Sequence, residues 1–87
     1  MSARTVILVG DLTDHGGTVL TGAADATIEG RATARQGDKV SCPLHGDNTI
    51  VEGAATCTLG GTPIALHGHK TRCGSSLIGS GSTTVSE

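Results

Sequence analysis

The side chains best able to do chemistry here are four histidines and three cysteines: His15, His45, His67, His69, Cys42, Cys57 and Cys73. Five of them lie in turns that open with a recurring Gly-(Asp/His) pair. His15 lies in Gly10-Asp11-Leu12-Thr13-Asp14-His15-Gly16-Gly17. Cys42 and His45 lie in Gly37-Asp38-Lys39-Val40-Ser41-Cys42-Pro43-Leu44-His45-Gly46. His69 and Cys73 lie in Gly68-His69-Lys70-Thr71-Arg72-Cys73-Gly74. Imidazole and thiolate are the donors zinc prefers, and a Cys-x-x-His spacing lets one loop supply two of the four it needs. If the three turns meet at one end of the molecule, His15, Cys42, His45, His69 and Cys73 converge there as candidate ligands of a single structural zinc. The plainer alternative for the histidines is that they are solvated turn residues.

Cys57 falls where the repeat described below has Ala26, so it reads as a small buried apolar residue. His67 stands outside the turns and reads as exposed. Asp11, Asp38 and Thr13 read as turn formers that bond neighbouring backbone. An odd number of cysteines argues against a disulfide framework. The opening apolar run, residues 6–9, is too short for a signal segment or a membrane span. The expectation is therefore a protein made in a reducing cytosol, where thiols favour metal over disulfide.

Catalysis has little support. A catalytic zinc keeps an open position and works with a base in a pocket. The chain has no His-Glu-x-x-His and no convincing Ser/His/Asp arrangement, and its serines lie mainly in turns and near the C-terminus. The expectation is a closed structural site and no enzyme.

The elements that must carry these residues come from an internal repeat. Residues 22–42 laid on residues 53–73 match at Gly22/Gly53, Ala23/Ala54, Thr27/Thr58, Gly30/Gly61, Ala34/Ala65, Gly37/Gly68, Lys39/Lys70 and Cys42/Cys73. Gly10-Asp11 supplies a third version of the turn. Short β-branched runs at 18–20, 26–28, 49–51 and 57–59 read as strands. Glu29-Gly30 and Gly60-Gly61 read as hairpin turns needing positive φ. No stretch holds a helical apolar spacing. The fold class is all-β: a small cone of short hairpins with a pseudo-threefold repeat and zinc near its vertex. Residues 1–80 form one domain, and residues 81–87 a Gly/Ser-rich tail that is either loose or ordered against a partner.

Size and composition explain why a metal is needed. At 87 residues without Phe, Tyr or Trp, the chain lacks the largest contributors to a core. A domain of this size buries only about two-thirds of its unfolded surface. A structural zinc supplies folding energy on the order of 10 kcal/mol. Net charge is −2 with no basic stripe, which argues against nucleic acid as a partner.

Taken together, Gly10-Asp11, His15-Gly16-Gly17, Ala34-Arg35-Gln36-Gly37-Asp38, Cys42-Pro43-x-His45-Gly46 and Pro63-Ile64-Ala65-Leu66-x-Gly68-His69-Lys70-Thr71-x-Cys73-Gly74 make the chain resemble the PAAR-repeat family of type VI secretion spike tips. The resemblance spans roughly residues 6–80. The name-giving Pro-Ala-Ala-Arg survives only in part, as Ala32-Thr33-Ala34-Arg35 and Pro63-Ile64-Ala65-Leu66. It implies a cone that caps and sharpens a trimeric VgrG-type spike, one cap to three spike chains, and aids membrane puncture and effector delivery. It also implies zinc held by three histidines and one cysteine. By position these are His15, His45 and His69, with Cys42 or Cys73, between which the sequence does not choose. On this reading the protein is cytoplasmic before firing and then leaves with the apparatus, touching membrane only transiently. Effector proteins would bind non-covalently or ride on the spike. A phage-like tail-spike tip and a small zinc/thiol redox module are the alternatives.

Overall fold

The computed structural model describes residues 3–44 and 46–86. These form ten short strands: β1 Ala3–Thr5, β2 Leu12–Thr13, β3 Ala23–Ile28, β4 Arg31–Thr33, β5 Lys39–Val40, β6 Asn48–Thr49, β7 Ala54–Leu59, β8 Thr62–Ile64, β9 Leu77–Ile78 and β10 Thr84–Ser86. They pair antiparallel in five two-stranded sheets, β1–β10, β2–β9, β3–β4, β5–β6 and β7–β8. The all-β fold of short hairpins is as expected. Among the described residues there is no helix long and apolar enough to cross a membrane.

The two halves of the sequence repeat fold alike. In β3–β4, Ala23, Thr27 and Ile28 face Thr33, Ala32 and Arg31; in β7–β8, Ala54, Thr58 and Leu59 face Ile64, Pro63 and Thr62. Both ladders slip at the same place. Both turns are two residues with positive φ throughout, Glu29 at 54° and Gly30 at 78°, Gly60 at 59° and Gly61 at 86°. That is the turn whose twist suits a two-residue hairpin.

The interior is built where three segments cross. The Ile7 amide donates to the Ala65 carbonyl (3.0 Å), the Ala65 amide to the Ala34 carbonyl (2.9 Å), and the Ala34 amide to the Ile7 carbonyl (2.9 Å), so the bonds close a ring. All three residues are fully buried. Two of them are alanines because side chains meeting at one point leave no room for larger ones. Strand-like alternation then sends Ile7 into one cluster, with Val19, Val40, Ile50 and Leu77, and Val6 and Leu8 into another, with Ala54, Ile64 and Leu66. Aliphatic packing on both sides of the ring serves where an aromatic core is missing.

The three Gly-(Asp/His) turns are built by one rule. Gly10, Gly37 and Gly68 have φ of 93°, 94° and 88°, a region that favours glycine. Their amides donate to the Val19, Ile50 and Leu77 carbonyls. The next residue accepts from a backbone amide three residues back: Asp11 Oδ2 from Leu8 (2.9 Å), Asp38 Oδ2 from Arg35 (2.7 Å), and His69 Nδ1 from Leu66 (2.9 Å).

The C-terminal segment has its own place. Thr84–Ser86, within the expected tail, is β10, and it orders against the chain's own β1. The Val6 amide extends the pairing to the Thr83 carbonyl at 2.9 Å. Arg31 holds the segment from the other side, bonding Asp11 Oδ1 and Ser80 Oγ, each at 3.1 Å. The β1–β10 ribbon stands beside β3–β4 and β7–β8. Side chains from all three, including Ile28, Cys57, Leu59 and Val85, border an apolar recess of about 260 Å³ against the second cluster.

Candidate metal centre

Three turns carry the donors. His15 sits on the first, where the Thr13 amide donates to the Gly17 carbonyl (3.0 Å) and the Gly16 amide to the Thr13 carbonyl (3.1 Å). Thr13 Oγ1 accepts from the His15 amide (3.3 Å) and the Gly17 amide (3.0 Å). Gly17 must be glycine, since a Cβ there would lie 1.9 Å from the Ser41 carbonyl oxygen. That approach presses the first turn onto the second, where Cys42 follows β5 and is buried.

Cys73 sits on the third turn, closed by the Thr71 amide to the Ser75 carbonyl and the Gly74 amide to the Thr71 carbonyl, both 2.9 Å. Its own amide donates to Asn48 Oδ1 on β6 (3.2 Å), tying the third turn to the second.

The donors therefore meet. His15 Nδ1 lies 3.9 Å from Cys42 Sγ and 4.0 Å from Cys73 Sγ. The three donor atoms fall within 4.8 Å of one another, a group that could hold a metal ion. In a tetrahedral zinc site with the usual bond lengths, N···S edges are about 3.6 Å and S···S edges about 3.8 Å. The observed spacings exceed the N···S edge by only a few tenths of an ångström. In donor type and spacing, the residues fit zinc.

Ser75 and Thr71 set the character of Cys73. Thr71 Oγ1 is 3.3 Å and Ser75 Oγ 3.5 Å from its sulfur, and the two hydroxyls also bond each other. The Ser75 hydroxyl, then that of Thr71, hold the Cys73 thiol down to about 5, outweighing the opposing effect of burial. A thiol so placed is a thiolate at neutral pH, the form that binds metal.

Of the five residues the sequence nominated, the structure gathers His15, Cys42 and Cys73. It brings both cysteines to the site, where the sequence left a choice of one. His45 lies outside the described residues. His69 is not in this group: it is buried, with Nδ1 already accepting from the Leu66 amide, and takes the turn position that Asp11 and Asp38 hold in the other two turns. His67 is exposed, and its Nδ1 accepts from the Gly79 amide (3.0 Å). Cys57 packs half-buried against the second cluster. Thr71, Ser75 and Asn48 were not singled out in the sequence, because hydroxyls and amides are ordinary turn residues and only the fold aims them at Cys73.

A family model for the PAAR motif matches residues 9–79 of the 87-residue chain. No curated protein matches it.

Proposed function

We propose, from the premise that this chain belongs to the PAAR motif family, that it is a spike-tip protein capping a trimeric VgrG-type spike of a type VI secretion apparatus. The family is a structural one, is associated with type VI spike tips and generally binds VgrG spikes. The observation that carries the reading for this chain is the closed ring of backbone bonds joining Ile7, Ala34 and Ala65. It supports a threefold arrangement in which a single chain offers three comparable faces, and so one cap to three spike chains.

The metal acts as a staple at the end formed by the three turns. His15, Cys42 and Cys73 hold one zinc, with His45 as the fourth donor by its Cys-x-x-His spacing. Bound there, zinc supplies folding energy and cross-links three loops; it performs no reaction. The turns leave the first apolar cluster, whereas the three ribbons border the recess on the second. The recess end, with its short strand edges, is the docking face for the spike. Leu44, 69 % exposed two residues beyond Cys42, lies toward the leading end, where transient membrane contact belongs. The protein waits in the cytoplasm until the apparatus fires, and effectors travel bound to it or to the spike.

The test is reconstitution with a purified trimeric spike protein, with mass measured by light scattering. A complex of one chain to three spike chains is expected, weakened by Leu59→Glu in the recess without loss of metal. No complex at micromolar concentration overturns the reading.

One observation favours a second reading as a zinc/thiol redox module: the Cys73 thiol is lowered to about 5 with Cys42 beside it. Rapid alkylation of these cysteines in the metal-loaded protein, with no spike binding, would select it.

A further inference from the structure

We propose that Thr71 and Ser75 are a positioning pair that orients the Cys73 sulfur as a metal ligand and sets how strongly it donates, a role that rests on the metal reading above. The first and third turns make the comparison. In the first, the Thr13 amide bonds the Gly17 carbonyl; in the third, the Thr71 amide bonds the Ser75 carbonyl, so Thr71 matches Thr13 and Ser75 matches Gly17. The cross-strand neighbours agree: Thr13 pairs Leu77, Val40 bridges Val19 and Thr71 bridges Ile50, and these three partners are the residues whose carbonyls accept from the turn glycines.

The two threonines use their hydroxyls differently. Thr13 Oγ1 accepts from two backbone amides of its own turn, a common use of threonine at a turn. Thr71 Oγ1 instead contacts Cys73 Sγ and Ser75 Oγ. Ser75, with no exposed surface, brings a second hydroxyl to a position the first turn fills with glycine. Burying a hydroxyl is unfavourable unless it is bonded, and its partners here are Thr71 and the sulfur. A hydroxyl is thus added at the one turn of the two that carries a cysteine.

A ligating thiolate has no proton, so its sulfur accepts only. Each hydroxyl has a single proton and the two oxygens bond each other, so one donates to sulfur and the other supports it: Thr71 donates to sulfur and Ser75 donates to Thr71 Oγ1. Hydrogen bonds to a ligating atom fix its orientation and draw electron density from it. Loss of such an outer partner commonly weakens metal binding about 10- to 100-fold.

The experiment uses the full chain loaded with Zn²⁺ or Co²⁺, with Thr71→Val, which copies Val40, and Ser75→Ala. Zinc affinity is read by chelator competition, and the cobalt form by its sulfur-to-metal charge-transfer band. Each variant is expected to bind zinc about tenfold or more weakly, with the band moved to lower energy at unchanged intensity. A purely structural role would lower thermal stability and leave the band where it was. Affinity within twofold of wild type and an unmoved band in the folded variants overturn the positioning role alone. If Thr71→Val does not fold, Ser75→Ala reads the same sulfur through the other hydroxyl. A wild-type cobalt spectrum without a thiolate band overturns this proposal and the metal reading together.

Discussion

His69 stands in the third turn where Asp38 stands in the second, each side chain accepting the backbone amide three residues earlier, from Leu66 at 2.9 Å and from Arg35 at 2.7 Å. With Nδ1 so used, the neutral ring carries its proton on Nε2. An uncharged acceptor should therefore replace it. His69→Asn is expected to keep full zinc content, whereas His69→Ala leaves a buried amide unmet and costs about 1–3 kcal/mol. Elemental analysis and thermal melts of both variants check this, and loss of zinc from His69→Asn would return His69 to the ligand set.

Gly17 is where one added methyl group should do the most harm. Its Cβ would sit 1.9 Å from the Ser41 carbonyl oxygen, backbone that cannot turn aside. Gly17→Ala must push the His15 turn away from Cys42, at a cost of about 3 kcal/mol or more. The expected outcome is a sharply lower Tm and weakened metal binding together. An unchanged Tm would show that the two turns are not in contact.

How far the sequence foretold all this depends on the range of the interaction. The two hairpins at residues 23–33 and 54–64 were legible, because Glu29-Gly30 and Gly60-Gly61 carry their turn signal locally. The union of β1 with β10 was not, since nothing near Ala3 or Ser86 names a partner at the far end of the chain. The candidate ligands were legible by type, whereas the turn contact made by His69 was not. A histidine after glycine serves the turn as an aspartate would, which only the Leu66 contact reveals. Cys42 and Cys73 both fitted the pattern, and only the meeting of their turns brings both sulfurs beside His15.

Acidity should separate the cysteines. The Cys73 thiol is lowered to about 5 by the Ser75 and Thr71 hydroxyls, against roughly 8.5 for an unfolded cysteine. A folded-state value below the unfolded one means stabilisation that is complete above the unfolded value and shrinks as pH falls toward about 5. Metal affinity should fall in the same direction, as protons compete for the sulfur. Alkylation of Cys73 in metal-free protein, followed by peptide mass, should reach half its maximal rate near pH 5. A midpoint near 8.5 would contradict the hydroxyl contacts.

Glu29 offers a gain in stability. It is the one non-glycine with positive φ among the described residues, at 54°. That backbone region costs an ordinary side chain about 1–2 kcal/mol. Asn-Gly is the preferred pair for this turn, so Glu29→Asn should raise Tm by about 4 °C or more for each kcal/mol recovered. A Tm at or below wild type would mean that the Glu29 side chain contributes something the turn needs.

The closeness of His15, Cys42 and Cys73, in a chain with no aromatic side chain, makes metal content the deciding quantity. Elemental analysis of the purified protein, beside the melting of chelator-treated protein, measures it directly. One zinc per chain is expected, with its removal by chelator abolishing cooperative melting and Cys73→Ala lowering the content. Protein without metal that still melts cooperatively at high temperature would contradict the staple.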